Sequence, residues 1–178
     1  MTEQSKPSTF NTRNIAYMAM YLALFFVLDW LSNTLPLFRM PQGGTLGIGT
    51  IALLMASYHL GWKLGTITAM LSVLLQFATG QMYILGFVQF LLDYFIAFSV
   101  YGIACLFPNF KLFYSGILVT NAVRFLSSTI SGVVFYGLTW VPSMAYQATY
   151  MIPTLILDLI LVPLLIKAMG TRFSMAHK

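Results

Sequence analysis

Three polar side chains that could bind a ligand interrupt one long apolar stretch of the chain. Gln89, Asp93 and Tyr94 lie within the segment 84–107, whose other residues are mostly aliphatic or aromatic. A segment of this length can cross a bilayer as a helix, and an acid at such depth normally faces a cavity or a partner group. Gln89 and Asp93 are four residues apart and therefore share one helix face. Together the three side chains could bind N–H groups or positive charge.

Two other apolar segments also carry polar residues at helical spacing. In one of them the residues that recur every fourth position are Arg124, Ser128, Gly132 and Tyr136. In the last segment the residues that share one helix face are Gln147, Tyr150, Thr154 and Asp158. The glycine leaves a gap into which a flat group could fit. Asp93, surrounded by Gln89, Tyr83 and Tyr94, predicts a site for a small, polar, partly cationic heteroaromatic ligand, bound by the carboxylate and by aromatic faces.

Charged side chains inside membrane segments are usually paired. Arg124 could therefore form a structural ion pair with Asp158 or with Asp93. We predict the pair with Asp158, and we assign Asp93 to ligand contact because Gln89, Tyr83 and Tyr94 surround it with hydrogen-bonding groups.

Composition places these residues in a membrane protein. The chain has 178 residues, of which 59% are hydrophobic and only 7% are charged, against roughly 25% charged residues in soluble domains. The single Cys105 excludes a disulfide framework and a thiolate metal site. No zinc-protease, Ser–His or nucleotide-binding motif occurs. We therefore expect no catalytic residue, no metal and no cofactor.

The apolar pattern predicts an all-α integral membrane protein with six transmembrane helices in a compact bundle. The predicted segments are Asn14–Ser32, Gly47–Tyr58, Leu64–Thr79, Ile84–Phe107, Leu112–Tyr136 and Tyr146–Met169. They form one domain over residues 13–170, between short tails at 1–12 and 171–178. The second segment is too short to span an upright bilayer core of about 30 Å, so it must be tilted or completed by the glycine-rich approach before it.

The distribution of Lys and Arg predicts the orientation. With the N-terminus inside, the cytoplasmic side collects Lys6, Arg13, Lys63, Lys111, Lys167, Arg172 and Lys178. The outer side has only Arg39. Both tails are therefore cytoplasmic, and the net charge of +5 reflects topology rather than binding to nucleic acid.

Two further patterns each allow two interpretations. The first long connection is rich in proline and glycine, and its segment Met40, Pro41, Gln42, Gly43 and Gly44 could form a lid over an outward-facing pocket or only a turn. Ala19 and Ala23, four residues apart in the first helix, permit close approach of another helix. That helix could belong to a partner protein or to the same bundle.

These motifs together resemble the substrate-binding (S) components of energy-coupling factor (ECF) transporters, which are ABC importers, and in particular their thiamine-type branch. The resemblance extends from about Asn14 to the end of the chain. The motifs that carry it are Met40-Pro41-Gln42-Gly43-Gly44, Tyr83-Ile84, Gln89-Phe90-Leu91-Leu92-Asp93-Tyr94, Arg124-Phe125, Ile130-Ser131-Gly132-Val133 and Tyr146 with Tyr150-Met151-Ile152-Pro153.

The resemblance implies a six-helix, multi-pass protein of the bacterial plasma membrane, with a pocket near the outer surface and a lid formed by the first connection. It implies partners as well: a transmembrane coupling protein, on which Ala19 and Ala23 would dock, and two cytoplasmic ATPases that supply the energy. Delivery of the vitamin would then occur by toppling of the whole S component in the membrane.

Carried over to this sequence, the family's pocket would use Tyr83, Asp93, Tyr94, Gly132, Tyr136 and Gln147. We add Gln89, Ser128 and Tyr150 to the predicted site because the helical pattern places them beside these residues. Four positions depart from the family pattern: Asp93 replaces Glu, Gln147 replaces Asn, Ser128 replaces His, and Tyr136 replaces a different aromatic residue. A shorter carboxylate, a longer amide and a lost imidazole would reshape the pocket.

The expected ligand is therefore a ring vitamin, with three candidates: thiamine, pyridoxine (vitamin B6) and hydroxymethylpyrimidine. The alternative function is that of a stand-alone membrane carrier, or of a membrane assembly protein whose buried polar residues only hold helices together.

Overall fold

The computed structural model describes residues 10–35, 40, 44–80, 82–110 and 113–170. Five helices in these ranges are long and apolar enough to cross a membrane: α1 (Thr12–Thr34), α2 (Thr50–Ala78), α3 (Phe87–Leu106), α4 (Ser115–Phe135) and α5 (Trp140–Met169). Two-residue strands β1 (Asn109–Phe110) and β2 (Phe113–Tyr114) pair antiparallel between α3 and α4. The prediction of a mostly helical membrane protein is confirmed, and five membrane-capable helices are described where the sequence predicts six.

Helix α2 contains two of the predicted segments and reverses direction between them. Gly61 interrupts the helix with φ 82° and ψ 169°, a backbone conformation that glycine adopts at little cost. A side chain on Gly65 would begin only 2.7 Å from the Cα atom of Ser57, although eight residues along a straight helix span about 12 Å. The two halves of α2 therefore lie against each other.

The first half of α2 explains how so short a segment fits in a membrane bundle. All of its residues from Thr50 to His59 are buried, so other helices surround it and it need not match the thickness of the lipid. His59, just before the reversal, packs on Tyr17 near the start of α1, with ring centroids 4.8 Å apart. The reversal of α2 therefore lies beside the N-terminal end of α1.

Helix α3 departs from regular α-helical geometry, and it begins three residues later than predicted. The backbone N–H of Leu85 donates to Oε1 of Gln89 (3.0 Å) just before the helix begins. A π-helical stretch, Leu91–Ile96, contains the predicted site residues, and a 3₁₀ stretch, Val100–Leu106, ends the helix. In the π-helical part, Oγ of Ser127 on α4 donates to the carbonyl oxygen of Leu92 (2.6 Å). Single π-turns of this kind are frequent at functional sites.

Polar side chains concentrate inside the bundle, whereas large apolar side chains cover its surface. Buried polar residues include Gln89, Asn121 and Asp158, while Leu74 and Leu126 are exposed. This distribution fits a protein surrounded by lipid. Apolar side chains need not be buried there, whereas polar groups must find hydrogen-bond partners inside the protein.

The alternating directions of the helices define two ends of the bundle. Arg13 at the start of α1, Lys63 at the reversal of α2 and Lys167 near the end of α5 lie at one end, which we call the basic end. The opposite end, where α1 finishes and α5 begins, contains the cavity described below, and we call it the cavity end.

Candidate functional site

A cavity of about 80 Å³ lies at the cavity end, between all five helices. A space of this size holds several water molecules or a compact organic group. The predicted site residues that line it are Asp93, Tyr94, Ser128, Gly132, Tyr136, Gln147, Tyr150 and, from the first connection, Gly44. The structure thus brings together residues from α3, α4 and α5 that are far apart in the sequence.

Asp93 is held in position by two hydrogen bonds to one carboxylate oxygen. Nε2 of the fully buried Gln89 donates to Oδ2 at 2.6 Å, and Oγ of Ser131 donates to the same atom at 2.8 Å. Nε2 of Gln89 also lies 3.1 Å from the carbonyl oxygen of Tyr83 and 3.2 Å from the hydroxyl of Tyr136. The two N–H groups of the Gln89 amide are thus shared among three acceptors, and Gln89 positions Asp93 from behind the cavity wall.

Tyr83 lies beside the site rather than in its wall. Its side chain is 51% exposed and its ring centroid is 6.2 Å from that of Tyr136. Its backbone N–H donates to the hydroxyl of Tyr94 at 2.8 Å. In this arrangement Tyr83 orients Tyr94 and Gln89 through its backbone, while its ring remains available at the cavity end.

Helix α5 supplies an amide and two phenols to the cavity. The hydroxyl of Tyr150 donates to Oε1 of Gln147, and Nε2 of Gln147 donates to the carbonyl oxygen of Ser128 on α4 (3.1 Å). The hydroxyl of Tyr146 accepts a hydrogen bond from the backbone N–H of Gly44 (3.1 Å). A Cβ atom on Gly44 would lie 2.7 Å from that hydroxyl, so a glycine is needed for this approach.

Only part of the proposed lid is described. The backbone N–H of Met40 donates to the carbonyl oxygen of Gly44 at 2.6 Å, and Gly44 contacts α5 as above. Pro41, Gln42 and Gly43 lie outside the described residues. The described end of the first connection is therefore anchored on the cavity wall, and the role of the segment as a lid stays a prediction.

Gly132 lines the cavity, but its missing side chain also makes room for a neighbouring helix. A Cβ atom at this position would overlap Oγ of Ser143 on α5, and that Oγ donates to the carbonyl oxygen of Thr129 (2.9 Å). The gap that the sequence pattern predicted for a flat ligand is thus shared with a close α4–α5 contact.

The predicted direct ion pair between Arg124 and Asp158 is not formed among the residues that the structure describes. Nη1 of Arg124 donates to the hydroxyl of Tyr101 (3.3 Å), which donates to Oδ1 of Asn121 (2.8 Å). Nδ2 of Asn121 then donates to Oδ2 of Asp158 (3.1 Å), which also accepts from Thr50. Two neutral side chains therefore separate the charges and connect them through hydrogen bonds.

The guanidinium of Arg124 also lies over the ring of Phe98, 4.6 Å from its centroid, a cation–π contact. Arg124 and Phe98 both line the cavity, whereas Asp158 is fully buried below it. Arg124 is therefore part of the site as well as of the structural network.

Comparison with known proteins shows the family of this chain. Residues 15–174 match the family described as thiamine transporter protein (Thia_YuaJ). The chain belongs to this family. It is 32% identical over 169 residues to the thiamine transporter ThiT of Bacillus subtilis (strain 168), covering 83% of this chain and 87% of that protein. The resemblance on which the sequence interpretation depends is confirmed.

A solved structure shows the same fold. The structure of ThiT from Listeria monocytogenes superimposes with a TM-score of 0.77 at 19% identity, over 92% of this chain and 99% of that one. Membership of the thiamine transporter family and five membrane-capable helices establish a multi-pass protein of the bacterial cell membrane. The named relatives are transporters rather than enzymes.

The four positions at which the resemblance predicts a departure from the family pattern lie together in the cavity. Asp93, Ser128, Tyr136 and Gln147 all line it. These four residues therefore belong to the surface that a ligand would touch, and Asp93 and Gln147 also form hydrogen bonds between helices.

Five polar cavity residues are absent from the predicted site: Thr45, Tyr146 and three residues of α1 and α2. Asp29 and Asn33 come from α1, and Gln76 comes from the second half of α2. An acid inside an apolar segment is itself a signal of function, so Asp29 could have been found from the sequence. Asn33 and Gln76 carry no such signal, because only the tertiary fold places them beside Asp93. No group of three metal-binding side chains occurs among the described residues.

Proposed function

We propose that this chain is the substrate-capture subunit of an ECF-type importer and that its cavity binds a small water-soluble heteroaromatic vitamin. One observation carries the proposal: a carboxylate, held by Gln89 and Ser131, faces a cavity walled by tyrosines in a chain of the thiamine transporter family. Thiamine is the first candidate, and pyridoxine and hydroxymethylpyrimidine are the others.

The chemistry of the cavity suits such a ligand. The Asp93 carboxylate can accept hydrogen bonds from an aminopyrimidine or pair with a protonated ring nitrogen. Tyr94, Tyr136 and Tyr146 offer aromatic faces on which a ring can stack. Gln147 and the hydroxyl of Tyr150, which now bond to each other, can exchange that contact for bonds to ring nitrogens or hydroxyl groups.

The topology supports capture from the outer side of the membrane. Counting the two halves of α2 separately because of the reversal at Gly61, we propose six crossings with both tails in the cytoplasm. The basic end then faces the cytoplasm, and the distribution of positive residues supports this orientation. The cavity faces outward, where the vitamin is first met.

Energy for uptake would come from partner proteins. The chain has no nucleotide-binding motif, so we propose assembly with a transmembrane coupling protein and two cytoplasmic ATPases, and delivery by toppling of the subunit. Ala19 and Ala23 are both exposed on α1. Small residues at this spacing allow a partner helix to approach closely in lipid, and this face is the proposed docking surface.

Replacing both Ala19 and Ala23 with Leu is expected to abolish co-purification with the coupling protein and ATPases, because the added side chains keep the partner helix away. Vitamin binding should be unchanged, since this face lies outside the cavity. The measurement is affinity purification from the native membrane, with Ala145→Leu, the same change at an exposed position of α5, as control. Assembly that survives the double substitution would show that the docking face lies elsewhere.

Ligand retention tests the proposed function itself. The protein is purified, denatured, and the released small molecules are identified by mass spectrometry. We expect one of the three ring vitamins. Protein that retains none of them and binds none on titration would favour the alternative of a stand-alone carrier or a membrane assembly protein.

A further inference from the structure

The π-helical stretch Leu91–Ile96 of α3 determines which side chains of this helix reach the cavity. Asp93, Tyr94 and Phe98 all line the cavity. In an α-helix, side chains five positions apart, such as Asp93 and Phe98, point about 140° away from each other around the axis. In a π-turn the hydrogen bond joins residues five positions apart, so these residues lie on one face. The π-turn therefore brings Asp93 and Phe98 into the same cavity wall.

The part of α3 that follows the π-turn is fixed by its neighbours. The ring of Phe98 lies against the guanidinium of Arg124, 4.6 Å from centroid to Cζ. A Cβ atom on Gly102 would overlap the backbone of Thr66 in α2, so this end of the helix has no room to rotate. A change from π-helical to α-helical geometry would therefore rotate Asp93 rather than Phe98, and it would turn the carboxylate away from the cavity.

One side chain of another helix holds the π-turn through its backbone. Oγ of Ser127 on α4 donates to the carbonyl oxygen of Leu92 at 2.6 Å, and a carbonyl oxygen has a second lone pair for such a bond. Ser131, four residues later and so on the same face of α4, donates to Asp93 itself. Ser127 is 6% exposed and is not among the residues that line the cavity. Its hydroxyl therefore acts on the geometry of α3, and a ligand in the cavity would not touch it.

We propose that Ser127 is a positioning residue for the site: its hydroxyl stabilises the π-turn of α3, and the π-turn keeps Asp93 on the cavity wall. The inference rests on the proposed function and deepens it, because it names a residue on which binding depends without contact to the ligand. Without this hydrogen bond, part of the protein has α-helical geometry at Leu91–Ile96. The apparent affinity then falls in proportion to the fraction of protein that is competent to bind.

Ser127→Ala tests the proposal. Wild type and variant are titrated, in the same detergent, with whichever of thiamine, pyridoxine and hydroxymethylpyrimidine the wild type binds most tightly. We expect Ser127→Ala to lower the affinity by about tenfold, the effect of losing one buried hydrogen bond. If Ser127→Ala does not fold, Ser127→Cys takes its place with the same expectation, since a thiol is only a weak donor.

Ser57→Ala is the matched control. Oγ of Ser57 on α2 also donates to a backbone carbonyl of α3, that of Gly102 (2.7 Å), but in the 3₁₀ stretch rather than in the π-turn. Ser57 is fully buried and is likewise not among the cavity-lining residues. Both substitutions remove the same kind of bond from the same helix, so both should lower the melting temperature. Ser57→Ala should nevertheless leave the affinity within about threefold of wild type.

A double-mutant cycle tests whether Ser127 acts through Asp93. In the Asp93→Asn background, Ser127→Ala should lower the affinity by less than about threefold, because the carboxylate that it positions is already absent. Unchanged affinity of Ser127→Ala, an equal loss in Ser57→Ala, or an undiminished loss in the Asp93→Asn background overturns the proposal and leaves the proposed function standing. Wild type that binds none of the three vitamins overturns the proposed function, and this inference with it.

Discussion

Asp93→Asn is expected to reduce the affinity for the vitamin by roughly 100-fold or more. The substitution keeps the shape of the side chain but removes the negative charge that the ligand would meet. Removing one partner of a buried charged hydrogen bond costs about 2–5 kcal/mol, and each 1.4 kcal/mol corresponds to tenfold in affinity. The amide of the variant could also turn its NH₂ group toward the ligand. That group would then face a ligand N–H group from which it cannot accept a hydrogen bond.

The measurement is equilibrium titration of wild type and Asp93→Asn in the same detergent. Glu3→Gln is the matched control, because it makes the same carboxylate-to-amide change in the polar N-terminal segment. Ser131→Ala should have a smaller effect, since it removes one of the hydrogen bonds that Asp93 accepts and leaves its charge in place. An Asp93→Asn variant that binds as tightly as wild type would remove Asp93 from the site.

Gly102→Ala is expected to be strongly destabilising. A Cβ atom on Gly102 would overlap the backbone of Thr66 in the second half of α2 and would lie 2.7 Å from the carbonyl carbon of Gly65. Backbone atoms of two packed helices cannot yield as a flexible side chain can. We expect a loss of about 3 kcal/mol in the free energy of unfolding, and a melting temperature lower by on the order of 10 °C.

Thermal unfolding in detergent tests this prediction, and Gly86→Ala is its control. Gly86 has extended backbone with φ 176°, and a Cβ atom there would meet nothing within 4 Å. The two variants add the same methyl group, so the difference between them isolates the close contact of α2 with α3. Equal melting temperatures would mean that these helices are not packed as closely as the structure has them.

The apolar runs of the sequence are sufficient to locate the membrane segments. The differences between the predicted and the observed helix boundaries have physical causes. The last helix begins at Trp140 rather than near Tyr146, and its first turn contains Pro142. A proline in the first turn of a helix is tolerated, since the N–H group that it lacks would have no intrahelical partner there. The reversal of α2 was predicted as a boundary between two segments, but the burial of its first half depends on tertiary packing.

The candidate site was predictable where it depends on local spacing. Gln89 and Asp93 do form a hydrogen bond across four residues, as helical spacing predicted. Helical spacing cannot predict contacts between segments that are distant in the sequence. Tyr101 and Asn121 separate Arg124 from Asp158, and Gln76 reaches the cavity only because α2 folds back on itself. The π-helical stretch around Asp93 also has no sequence signal that we recognise.

Calorimetric titration of the purified protein with thiamine, pyridoxine and hydroxymethylpyrimidine tests the central claim most directly. We expect one binding site per chain and a dissociation constant for thiamine on the order of 10 nM or lower, which corresponds to about −11 kcal/mol. The two single-ring vitamins should bind more weakly than thiamine. Binding of all three that is absent or weaker than about 1 μM would contradict a vitamin-capture function for this cavity.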